Sequence, residues 1–531
     1  MQDADYVIIG GGPAGAALAA RLITAPDKPR VILIEAGRSK PSLLSIVPIG
    51  MAALVPYWNW ENYALKTVPQ KALNGRMGYM PRGRGLGGSS LINAMIYVRG
   101  QREDYDEWAS LGCTGWGWKD VAPLFLRAEG NRRGQSDWHG ADGPLIVSDL
   151  ASPSPLSEAF IEASVSCQIP RNDDFNGPSQ EGVGLYQVFQ KDGERLDAAR
   201  AYLGSAPYPS NLVVLPKSQA LKIVFDGKRA ICVLLRGPGG ERLVKARREV
   251  ILSAGAIASP QLLMLSGIGP GAALQRVGIP VLHAANEVGE NLQDHLDYTV
   301  NVRIKAKGLL GYTPSAILEG LSAISAYRRG KGLLTSNVAE AGGFIRSRPE
   351  LDRPDLQLHF CIGLVDDHAR RFHISTGAAL HVCVLRPQSR GRVALASPNP
   401  RHRPLIDPDF LSAPGDLELL MRGARLAHQI LRAEPLARYA GRMVHPVDDR
   451  DTQALEAAIR ARADSIYHPV GTCRMGGDDA SVVDPQLKVR GVEGLRVVDA
   501  SIMPRLVSGN TQAPSAMIGE KAADLILGRA T

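Results

Sequence analysis

The sequence predicts an α/β protein: a Rossmann-like dinucleotide-binding domain that opens the chain, joined to a second, α+β domain of sheet and helix. Three observations predict it. A glycine-rich strand–turn–helix occupies residues 5–22. Apolar, β-branched runs recur in the middle at "DLQLHFCIGLV", "AALHVCVLRP" and "GRVALASP". The length of 531 residues exceeds what one ordinary core organises.

The opening stretch, "DYVIIGGGPAGAALAARL", reads as a short strand, Tyr6 to Ile9, followed by Gly10, Gly12 and Gly15 and an alanine-rich helix. The first glycine permits the tight turn, the second lets the backbone approach a pyrophosphate, and the third lets helix pack on strand. The helix N-terminus then offers unpaired N–H groups and a positive dipole end to the phosphates. The next strand, "RVILIEAG", ends at Glu35, an acid placed to accept hydrogen bonds from the adenosine ribose hydroxyls. NAD and FAD share this fingerprint, so it does not choose between them.

Composition narrows the function classes. A net charge of +8 is small for this length, and the densest basic pieces, "KARRE" at 245–249 and "YRRGKG" at 327–332, read as solvated faces. Nucleic-acid binding is therefore not expected. Six scattered cysteines, with no CxxC pair, exclude a small disulfide scaffold and the usual zinc spacings and fit a reducing compartment. No charged-then-apolar leader and no apolar run of about 18 residues is visible. The expected location is cytoplasmic, with peripheral contact at the inner membrane face left open.

A second glycine-rich stretch, "GRGLGGSSLINAMIYVRGQREDYD" at 83–106, supplies further close backbone approaches, which a long cofactor lying extended across the fold needs. Together with "GAIASPQLLMLSGIG" at 255–269, "VGENLQDH" at 288–295, "RVVDASIMP" at 496–504 and "GNTQAPSAMIGEKAADLI" at 509–526, it resembles the signature stretches of the glucose-methanol-choline (GMC) family of flavin oxidoreductases. The resemblance implies FAD and catalysis on alcohols. It assigns Gly10, Gly12, Gly15 and Glu35 to the adenosine-diphosphate site, and Gly88, Ser90, Asn93, Ala94 and Met95 to the pyrophosphate and flavin ring. Ala220 falls where relatives place a small apolar residue beside adenine, and Asp499, Ala500, Asn510, Thr511 and Gln512 match contacts to the ribityl chain and ring. Some family members anchor the flavin through a histidine in the first signature. Leu91 and Ile92 occupy that neighbourhood here, so non-covalent FAD is expected.

The stretch "YHPVGTCRMG" at 467–476 packs histidine, cysteine, arginine and methionine together. A metal site would need neighbouring ligands that Cys473 lacks, haem would need a CxxCH, and a nucleophilic cysteine would need an adjacent base. The family resemblance places the catalytic histidine at His468 and its partner at Asn510. The chemistry agrees. A carbinol proton is about as weakly acidic as water, near 15.7, against about 6.5 for imidazole, so full proton transfer before hydride loss would cost roughly 12–13 kcal/mol. Proton and hydride transfer to flavin N5 should be coupled, with His468 as general base, and Asn510 can donate its amide N–H to the substrate oxygen. Pro469 favours a fixed, extended loop at His468. His295 reads as part of the structural frame, and among His359, His368, His373 and His381 one is expected to line the pocket.

Chain order divides the molecule into an FAD-binding domain of residues 1–150, 211–300 and 462–531 and a substrate-binding domain of 151–210 and 301–461. The middle strands should roof the flavin ring, with "PSAILEGLSAISAYRRG" at 314–330 as an amphipathic helix packed on their sheet. Within the family, "LTSNVAEAGGFIRS", "RPDLQLHF" and "IYHPVGTCRMG" are most similar to bacterial dehydrogenases of aliphatic and polyethylene glycol alcohols, and to sorbose dehydrogenase. The expected partners are a small-molecule alcohol and a quinone or other electron acceptor. An oxygen-using oxidase and a flavin-containing hydroxynitrile lyase are the alternatives.

Overall fold

The computed structural model describes residues 2–529 apart from 307 and 312. The first strand, Gln2–Ile9, pairs in parallel with Val31–Ile34 on one side and Gly240–Leu252 on the other. Leu212–Leu215 extends the sheet beyond Val31–Ile34, and Leu495–Val497 adds in parallel along the last residues of Gly240–Leu252. The early part of Gly240–Leu252 instead joins an antiparallel meander with Arg229–Gly237 and Gln219–Asp226. Val31–Ile34 is buried at every residue, as a strand of a parallel sheet covered on both faces must be. The helix that follows the first strand, Pro13–Ile23, lies against the closing helix Gln512–Leu527. They approach so closely at Gly519 that a Cβ there would sit 2.3 Å from the carbonyl oxygen of Ala14.

A second seven-stranded sheet is antiparallel throughout. Its order runs Ala440–Met443, Leu296–Ile304, Gly377–Val384, Leu356–Cys361, Ala339–Ile345, Gly182–Leu185, with Asp464–Ser465 also pairing to Leu296–Ile304. Strand alternation gives it two different faces. Leu356, Leu358, Phe360, Ala378, Leu380 and Val382 join one apolar core, where Phe360 stacks on Phe160 at 4.8 Å. Helices Pro155–Ser166 and Pro414–Arg432 cover that face. The residues between them, among them Gln357, His359, Cys361 and His381, are also buried but point to the opposite side.

Some expectations from the sequence change here. "GRVALASP" contributes only Arg392–Ala394, which pairs with Leu405–Asp407 outside the large sheet. The helix expected at 314–330 spans Pro314–Tyr327, the side chains of residues 315 and 319–321 lying outside the described set. It stands on the turn Leu333–Thr335 and leaves Ile317, Leu318 and Ile324 exposed, because other helices already cover the apolar face of the sheet. Two short pieces cross the expected divisions: Ala198–Leu203 packs on Pro13–Ile23, and Asp464–Ser465 belongs to the second sheet.

The contact at Gly519 yields a test of how the termini hold the first sheet. Gly519→Val should destabilise the protein by about 1–3 kcal/mol through overpacking, measured by urea unfolding, whereas substitution at Gly415, whose Cβ would meet nothing within 4 Å, should not.

Candidate active site

Residues of both sheets line one cavity of about 930 Å³, near the upper end of the range for small-molecule and cofactor sites. Every cofactor residue expected from the sequence borders it except Gly15. Gly15 acts from behind, since its Cβ would lie 2.1 Å from the carbonyl oxygen of Gly10. Gly10 holds φ at 105°, and Gly88 at 57° faces Gly12, so a Cβ at Gly88 would lie 2.8 Å from the Gly12 Cα. A Cβ at Gly12 would meet nothing closer than the Gly88 Cα at 4.0 Å, and Gly12 starts the helix Pro13–Ile23 without a side-chain cap. Open backbone and uncapped N–H groups together form a cradle suited to a diphosphate. Glu35 accepts hydrogen bonds from Gly37 N at 2.8 Å and Gly11 N at 3.1 Å. Burial raises its pKa, and those two donors work against the rise.

At the other end, Asn93 Oδ1 accepts from Met95 N at 3.1 Å and Arg195 Nη1 at 2.9 Å, which turns its Nδ2 to donate to Gln512 Oε1 at 2.5 Å. Gln512 Nε2 is then left buried and without a hydrogen-bond partner at the cavity wall. It lies in the first turn of the helix Gln512–Leu527, beside Thr511, so an orphaned donor and a positive helix end sit together. These features fit the carbonyl-bearing ring of a flavin, as the glycine cradle fits its diphosphate. Ala220 borders the cavity on the strand Gln219–Asp226, and Ala94 and Ala500 border it as small wall residues.

The hydroxyl of Ser90 and the carboxylate of Asp499 are taken up by the protein. Ser90 Oγ donates to Gly87 O at 2.6 Å and accepts from Ala198 N at 2.9 Å. Asp499 accepts from Ser259 Oγ at 2.6 Å, Ser501 N at 2.8 Å and Gly255 N at 2.9 Å. Both hold the wall in shape.

His468 is positioned by strand pairing. Gln293 and Val470 form an antiparallel bridge, Ile466 N donates to His295 O, and Leu296 and Asp297 pair with Ser465 and Asp464. "NLQDH" is thereby laid alongside "YHPV", and His295 Nδ1 lies 2.9 Å from His468 Nδ1. Asp294 anchors the same segment: Oδ1 accepts from His468 N at 2.8 Å and Oδ2 from Ser465 Oγ at 2.5 Å. Burial pushes the Asp294 carboxyl up to about 7. Tyr467, at φ 76°, is held in a left-handed conformation unusual for a residue with a side chain. Its hydroxyl meets His368 Nδ1 at 2.6 Å, and His368 Nε2 meets Asp464 at 3.0 Å.

These contacts determine which nitrogen of His468 carries the proton. His295 Nε2 faces the carbonyl of Leu385 at 3.0 Å and must be its donor. Burial pulls the His295 pKa down to about 4, so the ring is neutral and its Nδ1 is a lone pair. His468 Nδ1 must then donate to it, leaving the lone pair on His468 Nε2. Gln357 Nε2 donates to Asn510 Oδ1 at 3.0 Å, which turns Asn510 Nδ2 toward His468 Nε2, 3.2 Å away. Burial first, then the neighbouring His295 and His359 rings and Arg82, hold His468 well below the ordinary histidine pKa. The Asn510 amide N–H thus donates to the His468 Nε2 lone pair, and both side chains border the cavity.

His468 and Asn510, expected from the sequence to act together, meet at the cavity wall, and His295, expected in the frame, is the second ring of the imidazole pair. Asp294 and Gln357 were missed as well, and only "NLQDH" carried a signal. His359, His368, His373 and His381 all border the cavity, more than the one expected. Although burial opposes charge on His381, Asp297 at 2.6 Å and the Cys361 thiol hold its pKa well above the ordinary value. Cys473 is fully buried, and burial pushes its thiol well up, which fits a wall residue.

Family models described as GMC oxidoreductase match residues 4–297 and 387–519. An alcohol dehydrogenase [acceptor] of Pseudomonas putida is 47% identical over 98% of this chain and 95% of its own length. An oxygen-dependent choline dehydrogenase of Pseudomonas fluorescens is 41% identical over 99% of this chain and 94% of its own. The crystal structure of pyridoxine 4-oxidase from Mesorbium loti superposes with a TM-score of 0.89 at 31% identity, covering 99% of this chain and 100% of that one.

The imidazole pair makes its own prediction. His295→Leu leaves the His468 Nδ1–H unpaired and frees the ring to adopt the wrong tautomer, so turnover should fall about 10–100-fold, roughly 1.4–2.7 kcal/mol, with bound flavin unchanged. His295→Asn, which can offer an oxygen to that N–H, should recover part of the loss.

Proposed function

Because the chain belongs to the GMC oxidoreductase family, we propose that it is an FAD-dependent alcohol dehydrogenase. In this proposal it oxidises a primary aliphatic or polyol-like alcohol to the aldehyde, or a secondary one to the ketone. The electrons pass to a quinone or an artificial acceptor. The observation that carries this reading is the convergence of the His468 Nε2 lone pair and the Asn510 Nδ2–H at the cavity wall, 3.2 Å apart. FAD, when bound, supplies the hydride acceptor. A substrate hydroxyl that displaces the Asn510–His468 hydrogen bond would donate its proton to Nε2 while its oxygen accepts from the amide, so negative charge on oxygen is met as the proton departs. The His295 ring keeps Nε2 unprotonated and able to take that proton.

The cavity's charge supports a neutral substrate. On its substrate side the lining includes Arg82, Arg371 and the four histidines, while its acidic lining residues, Glu35 and Asp499, are held by backbone N–H groups in the nucleotide half. A quaternary ammonium would meet the guanidiniums of Arg82 and Arg371 there, with burial holding the His359 pKa down to about 3, so the choline specificity named for the Pseudomonas fluorescens relative is not carried over. Ile92 borders the cavity and Leu91 is buried beside it. Neither offers a nucleophile, which supports non-covalent FAD. Flavin should therefore appear in the supernatant after acid precipitation. An oxygen-using reaction is the second reading, favoured by the likeness to pyridoxine 4-oxidase.

Anaerobic mixing with a panel of alcohols tests the reaction, and reoxidation by quinone or by oxygen separates the two readings. Primary alcohols should bleach the flavin. His468→Ala should slow bleaching by about 10²–10⁴-fold with flavin retained, and Asn510→Ala by about 10²–10³-fold. Since His468 is held well below its ordinary pKa, the base stays unprotonated as pH falls through neutrality. The kcat/KM should therefore be flat above about 6.5 and decline only at lower pH; an acid limb centred above that value would contradict the assigned base.

A further inference from the structure

The cavity mouth carries a surface that the reaction does not need. Among the described residues, ten of the fifteen exposed large apolar side chains fall in three segments, 43–60, 317–324 and 372–374. The three segments border one opening. Trp58, and Arg371 with His373, line the cavity from the first and third, and Leu310 and Gly311 line it just ahead of the second. Tyr57 OH donates to Arg370 O at 2.9 Å, Gly311 bridges to Thr376, and the turn Leu333–Thr335 that supports the helix Pro314–Tyr327 packs on the turn Pro48–Gly50. Phe372 and Ile374, 60% and 88% exposed, alternate with His373 and Ser375, which line the cavity. Trp60 is 59% exposed and lies 5.8 Å from Trp58, with the Arg38 guanidinium 5.0 Å from its ring centre.

The charge on this rim is mostly basic. Arg38, Lys40, Arg328, Arg329, Lys331 and Arg371 are exposed, Arg371 lies 3.9 Å from Asp367, and the sequence of 36–60, 313–332 and 368–376 holds a single acid, Glu319. Contiguous exposed apolar groups mark an interaction surface. Tryptophan suits the headgroup level of a bilayer, and each basic side chain near an anionic surface adds about 1 kcal/mol. We propose that the rim of the cavity docks on an anionic phospholipid bilayer, inserting Trp60, Phe372 and Ile374 so that the mouth opens onto the lipid phase. A lipophilic alcohol or quinone would then reach the cavity without crossing bulk water. The inference stands on the surface and is independent of the reaction.

Sedimentation of the flavin-loaded protein with phosphatidylcholine vesicles, with and without phosphatidylglycerol, tests it. Phosphatidylglycerol should bring the protein down at low salt, and added salt should release it. Trp60→Ser/Phe372→Ser/Ile374→Ser should lower the vesicle-bound fraction about tenfold or more while keeping flavin and turnover of a short soluble alcohol. Leu111→Ser/Val165→Ser, at exposed apolar sites outside the three segments and the cavity lining, should change nothing. If the triple variant loses flavin, Arg328→Glu/Arg329→Glu serves instead and should weaken binding to the anionic vesicles alone. Wild-type protein that stays in the supernatant with phosphatidylglycerol at low salt, or a flavin-bearing triple variant that binds equally well, overturns the proposal. So does a dimer, seen by light scattering, that the triple variant abolishes without any vesicle binding, since a second copy would then own the surface.

Discussion

The structure depends on one antiparallel contact, that of residues 293–297 with 464–470. It ties the nucleotide half to the substrate sheet, since Leu296–Ile304 is itself a strand of that sheet. The same contact sets two imidazoles against each other and anchors the backbone of one through Asp294. His468 is therefore aligned by the element that links it to the second sheet. Any relative movement of the halves would be felt as a change in the His295–His468 hydrogen bond.

Electrostatics follow from that placement. Burial lowers both rings, and the low-dielectric surroundings leave them neutral. A neutral pair can pass its tautomeric information only through donors and acceptors of known sense. The Leu385 carbonyl at one end and the Gln357 amide at the other provide them. Backbone strain at Tyr467 is localised beside the base, where the Tyr467–His368–Asp464 chain holds it.

Much of this was legible in the sequence because it is local. Gly10, Gly12 and Gly15 announce their own conformations, Glu35 closes a strand that the hydrophobic run defines, and His468 and Asn510 stand in recognisable stretches. The His295 role was not legible, because it arises from pairing between segments about 170 residues apart that no local pattern encodes. Ser90 and Asp499 have the polarity of ligand contacts, yet their hydrogen bonds turn inward, a choice made by neighbours distant in sequence. An apolar period at 314–327 likewise tells that a helix forms and not whether the sheet below is still free to receive it.

The tight meeting of Gly519 with Ala14 has a consequence for biogenesis. Synthesis proceeds from the N-terminus and domains fold as units, but here the strand Leu495–Val497 and the helix Gln512–Leu527 leave the ribosome long after the strand Gln2–Ile9 and the helix Pro13–Ile23 that they complete. Until they arrive, the first helix lacks its neighbour and the orphaned amide of Gln512 does not exist. The first sheet and the cradle behind it are thus completed only when segments far along the chain arrive.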